Sequence, residues 1–103
     1  MGKNRVRESL IRKIVNVVVH KIILEHTNKL ESAHFLEPEI IGYRSIAEKT
    51  SEEYSWDNED KEYIKKKALN MIKEKLNTKY QDIEYSEQEA IEKLKEMLKE
   101  TLG

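Results

Sequence analysis

Ile14-Val15-Asn16-Val17-Val18-Val19-His20-Lys21-Ile22-Ile23-Leu24 is the stretch whose reading decides the fold. On a helical wheel, at about 100° per residue, its apolar members cover roughly 260° of the circumference. Only a narrow arc stays polar, holding Ser9, Lys13, Asn16, His20 and Thr27. A helix apolar over so wide an arc must be wrapped by neighbours, as a central helix or an oligomer seam. Val and Ile also favour sheets, so a buried strand competes. Upstream, however, Val6, Leu10, Ile14, Val17 and Val18 recur at three- and four-residue steps. That spacing, held from about Asn4 to Lys29, predicts a helix.

Three further helices are predicted downstream. The second starts at Pro38, a residue suited to a first helical turn. Ile40, Ile41, Tyr43, Ala47, Thr50 and Tyr54 continue its spacing, and it is expected to end near Tyr54. Glu31 to Glu37 is read as a link, with Phe35 and Leu36 pinning the turn to the core. The third follows a cap at Asp57 or Asn58, with Glu59 and Asp60 placed where the helix dipole favours acids. Its stripe is Ile64, Ala68, Met71, Ile72, Leu76 and Tyr80. The fourth opens with Ser86 and Glu89 in capping-box spacing, and Tyr85 before them can staple onto Ala90. Ile91, Leu94, Met97 and Leu98 mark its inner face. The expectation is an all-α bundle of about four helices: one long apolar helix and three amphipathic ones.

At 103 residues the chain has room for one domain, 1–103, with the basic residues 1–7 expected to fray. Apolar and charged residues each make up 38%, so the core must be lean. The formal net charge of −1 argues against disorder and against a wholesale polyanion binder. Without cysteine, disulfides and thiolate chemistry are excluded. No run approaches 18 apolar residues and no signal sequence is recognisable, so no membrane partner is expected and the cytoplasm is the default.

Catalysis finds no motif: there is no nucleophile elbow and no phosphate-binding glycine loop. No catalytic residue, metal site or cofactor is expected. His20 and His26 are six residues apart, which puts them about 120° from each other on one helix. His34 lies outside that helix, and a site joining His26 or His34 to Glu25, Glu31 or Glu37 needs loops to cooperate. The strip Lys13, Asn16, His20 reads as a solvated face, a hydrogen-bonded pocket or a register-fixing contact.

Two function classes remain. The first is a non-catalytic interaction or assembly module, a homodimer or a partner of another protein. Its candidate interface is Val15, Val19, Ile22 and Ile23, with Tyr54 and Trp56 either anchoring the interface or sealing a corner of the core. The alternative is a nucleic-acid-associated protein using Lys3, Arg5, Arg7 and Arg12 on phosphates. Cations at a helix start oppose the dipole, so some other contact has to favour them. Tyr43 to Ser51 also resembles the first helix of a helix-turn-helix, with its aliphatic–Ala pair at Ile46 and Ala47. The likeness ends at Glu52-Glu53-Tyr54, where acids replace the turn and recognition helix.

Overall fold

A computed structural model describes the backbone of residues 2–26, 30–52, 54–79 and 84–102; among them the side chains of 30–39 and 79 are left out. These residues form four helices, α1 (Lys3–His26), α2 (Leu30–Ser51), α3 (Asn58–Lys79) and α4 (Glu87–Leu102), with no strand among them. The chain is a small all-α bundle. Val17 to Val19 lie within α1, which removes the strand reading.

α1 is the axis of the molecule. Its 24 residues span about 36 Å at 1.5 Å each, close to the 40 Å long dimension. Leu10, Ile11, Ile14, Val15, Val17, Val18, Val19, Ile22 and Ile23 are all buried. Each other helix packs on α1. Ile40 and Ala47 come from α2, Ile64, Ala68, Ile72 and Leu76 from α3, and Ala90, Leu94 and Met97 from α4. One chain therefore closes the apolar arc by itself. α4 touches both α2 and α3, but α2 and α3 do not come within 8 Å of each other, Cα to Cα, among the described residues.

Side-chain pairs give the helix directions. Glu8 meets Lys67 and Asn16 meets Lys75, so both helices advance by eight residues and α3 runs parallel to α1. His20 stacks on Tyr43, whereas Ser51 and Trp56 lie at the Lys3 end of α1, so α2 runs antiparallel. Lys73 pairs with Glu87 while Lys61 and Lys65 share a groove with Leu98 and Leu102, which reverses α4 again.

The caps follow the sequence. Asp57 Oδ1 accepts from the Asp60 N–H at 2.8 Å, which makes Asp57 the cap of α3. Ser86 Oγ accepts from the Glu89 N–H at 3.1 Å and caps α4. The Glu89 carboxylate is at His26 on α1, so it joins two helices instead of completing a reciprocal box.

Three expectations for α2 are corrected. The helix starts at Leu30, so Pro38 lies in its interior and Glu31–Glu37 is helical, not a link. Proline there leaves the carbonyl four residues back without its helical donor. The contacts expected of Phe35 and Leu36 fall outside the described side chains. At the other end α2 stops at Ser51, so Tyr54 is no part of it. Trp56 Nε1–H donates to the Ser51 carbonyl at 2.8 Å, giving that C-terminal carbonyl a partner the helix cannot supply. Ile41, expected with the inner residues, is 70% exposed. It sits about 100° from Ile40, beyond the reach of α1. Tyr80, Thr27 and Lys29 lie outside the described residues.

Candidate functional site

Among the described residues α2 and α3 stand apart on one side of α1, and the polar arc faces that side. Arg5, Ser9, Arg12, Lys13, Asn16 and His20 fall within about 100° of its circumference, over about 22 Å of its length. Arg5 and Arg12 are exposed; the other four are half-buried. The strip predicted from Lys13, Asn16 and His20 is thus brought together as the floor of a flank.

Both walls contribute. From α3, Lys75 Nζ donates to Asn16 Oδ1 at 2.8 Å. From α2, the Tyr43 ring stacks on His20, with centroids 5.7 Å apart and planes 7° from parallel. His20 Nδ1–H donates to the Asn16 carbonyl at 2.7 Å, so its Nε2 edge points away from that bond. Ile46, one turn from Tyr43 on the same edge of α2, is 47% exposed. Lys13 donates to Ser9, a pairing whose chemistry resembles a nucleophile beside an amine. In mid-helix, however, backbone N–H groups are already donated to carbonyls four residues back, and none is left to hold an oxyanion.

The opposite shoulder of the α1 start carries a closed ion network. Lys3 and Arg7 reach Asp60 at 2.9 and 3.1 Å. Hydrogen bonding from Lys3 above all, then from Arg7 and the Asp57 N–H, holds the Asp60 carboxyl below the ordinary aspartate range against the opposing effect of desolvation. Glu8 accepts from Lys67 and, at 2.6 Å, from the Tyr63 hydroxyl; those two bonds lower its pKa and the first raises that of Lys67. The Arg7 guanidinium lies 3.9 Å from the Tyr63 ring centroid. Asp60 thus supplies the acid that the first turn of α1 lacks. Of the four cations read as phosphate contacts, Lys3 and Arg7 are engaged here, and only Arg5 and Arg12 face outward.

The other candidates occupy different places. Val15, Val19, Ile22 and Ile23 are at most 9% exposed inside one chain and offer no surface to a partner in this conformation. Tyr54 and Trp56 meet edge to face at 6.1 Å, with Trp56 packed against the core and the Lys3 amine 5.5 Å from its ring. His26 Nε2 lies 2.9 Å from Glu89, and Lys93 reaches Glu25, whose pKa it lowers; these pairs tie α1 to α4. No group of three residues able to hold a metal occurs among the described ones, and His34 lies outside them. No described helix is long and apolar enough to cross a membrane.

Sequence reading missed Asp60 as a hub, along with Tyr43, Tyr63 and Lys75. Asp60 was legible only as an acid suited to a helix start. Tyr43 was read only as part of the α2 stripe, Tyr63 and Lys75 lay off the stripes, and none of the three carried a signal of its distant partner. No family model matches this chain, and no curated protein or solved structure matches it.

Proposed function

We propose that this chain is a non-catalytic interaction module that seats an acidic amphipathic helix of a partner protein on the open flank of α1. One observation carries the reading: α2 and α3 stand apart over the single polar, cationic arc of an otherwise enclosed helix. A groove between two helices, floored by a third, is the shape into which an amphipathic helix docks. Arg5, Arg12, Lys13 and Lys75 supply the charge that draws acidic side chains, and Ile46 with Tyr43 supplies an apolar edge. Such charges chiefly set approach rate and register.

The apolar edge favours a protein segment over a phosphate backbone, for which Ile46 would be idle. Exposed Arg5 and Arg12 keep the nucleic-acid reading as the competitor. Fluorescence anisotropy separates the two, with a labelled helical peptide of Glu and Leu in i, i+3, i+4 spacing and a single-stranded oligonucleotide as probes. The expected result is peptide binding at about 50 mM salt that Lys13→Glu with Arg12→Glu abolishes, and that Ile46→Asp weakens. Binding of the oligonucleotide alone, with a steep salt dependence, overturns the reading in favour of the competitor. Binding of neither overturns both.

A further inference from the structure

A second surface lies on the far side of the molecule, and its argument does not depend on the open flank. The outer face of α4 is divided by charge. Taking Leu94 as the inward direction, Lys95 and Lys99 fall on the flank toward α3, about 100° and 140° around. Glu92, Glu96 and Glu100 fall between about 160° and 240°, toward α2. The contacts agree: Leu98, Lys99 and Leu102 line a groove with Lys61, Glu62 and Lys65 of α3, whereas Glu100 pairs with Arg44 of α2 at 2.8 Å. All five charged residues of this face are exposed.

On either side of that face stand a groove and a knob. The groove holds about 190 Å³, with two leucines at its base and three lysines against one glutamate around it. The knob is Ile41, 70% exposed on α2, with Glu48 on the same edge. α2 and α4 run in the same direction, and Arg44 is level with Glu100, so Ile41 is level with Met97. It therefore stands beside the groove at Leu98 and Leu102, across the width of α4.

We infer that this face is the interface of a parallel twofold homodimer, with Ile41 of each copy seated in the α3–α4 groove of the other. A twofold axis parallel to α4 keeps heights unchanged and exchanges left with right. It therefore sets the knob of one copy against the groove of the second. The same rotation sets Lys95 and Lys99 of one copy against the glutamates of the other, the pairing that flanks a parallel coiled coil. An isoleucine edged by acid meets a leucine floor rimmed by lysine, so shape and charge agree in one register. An antiparallel arrangement keeps the lysines on the lysine side and lacks this match.

The test uses two reciprocal variants, Lys95→Glu with Lys99→Glu and Glu92→Lys with Glu96→Lys. All four positions are on the surface, and circular dichroism verifies that each variant keeps its helices. By light scattering at about 100 μM, the wild type is expected at twice the 12.2 kDa chain mass. Each variant alone places like charges opposite each other and is expected as a monomer; an equimolar mixture restores the dimer. Ile41→Glu is expected to weaken association by at least about tenfold. A monomeric wild type, a dimer that persists in either variant alone, or a mixture that stays monomeric overturns the inference. The open-flank residues are untouched by these changes, so peptide binding by the monomeric variants keeps the two readings separate.

Discussion

The two sides of α1 have opposite environments although one helix carries both. On the closed side, nine apolar residues from Leu10 to Ile23 meet three helices and lose nearly all contact with water. On the open side, Arg12 and Arg5 stay exposed, and among the described residues Tyr43 and Lys75 meet the strip at its edges. The contrast separates what holds the fold from what is available for binding. Burial on the closed side is worth about 25 cal/mol for each Å² of apolar surface removed from water. Exposed ion pairs contribute about 0–1 kcal/mol each. Stability should therefore follow the closed side and recognition the open one.

The largest effect that sharpens this contrast is expected at Ile14, which has no exposure at all. Ile14→Ala should cost about 2–5 kcal/mol, because a cavity remains that three helices cannot collapse to fill. Ile46→Ala, the same change at a surface position outside the proposed dimer interface, should stay within about 0.5 kcal/mol. Guanidinium denaturation of the two variants measures the gap directly, and equal losses would break the division.

A smaller effect is expected at the start of α3. Asp57→Ala removes the oxygen that accepts from the Asp60 N–H and should cost about 1 kcal/mol, read as a lowered melting temperature. Asp57→Asn, which keeps an acceptor, should recover most of the loss. No recovery would mean that charge, not the cap bond, holds this end of the helix.

This hierarchy was legible in part. The span of α1, the stripe of α3 and the caps at Asp57 and Ser86 were all readable, because periodicity and capping are local properties of a segment. The start of α2 was not: Pro38 looks like a first-turn residue, yet the helix runs back to Leu30. Nor could the sequence show that one chain closes the apolar arc. A pattern says which face needs cover, but not which neighbour supplies it. The strip Lys13, Asn16, His20 was found on the wheel, whereas its partners Tyr43 and Lys75, 23 and 59 residues from His20 and Asn16, carried no local mark. Nor did the sequence mark the partner of Lys3 and Arg7, because their acid, Asp60, lies on another helix.

The shoulder formed by that acid makes the next prediction, a pH effect gentler than either substitution. Asp60, Glu8 and Glu25 all have pKa values lowered in the folded chain. Their ionised forms are favoured by folding, so their contribution is complete above the unfolded value of about 4 and is lost as pH falls through the lower folded values. The melting temperature should be level from neutral pH down to about 5 and should decline below about 4. Lys67, with its pKa raised by Glu8, acts at the other limit: its contribution is present below its unfolded value and fades as pH rises through the folded one. Asp60→Asn should flatten the acid decline, and a profile unchanged by that substitution would show that the shoulder plays no part in it.

The smallest stability effect is expected on the open flank, and its smallness is what makes it informative. Arg12→Glu with Lys13→Glu reverses two cations on the arc and should shift unfolding free energy by no more than about 0.5 kcal/mol. Arg12 is exposed, and among the described residues Lys13 bonds only to Ser9, one turn away. Its stem can still cover neighbouring apolar surface, but a glutamate keeps part of that cover. A shift above about 1.5 kcal/mol would mean that these cations secure α1 to its neighbours in the way Lys3 and Arg7 do at Asp60. The flank would then belong to the scaffold, and the distinction between the two sides of α1 would fail at the place where a partner is proposed to bind.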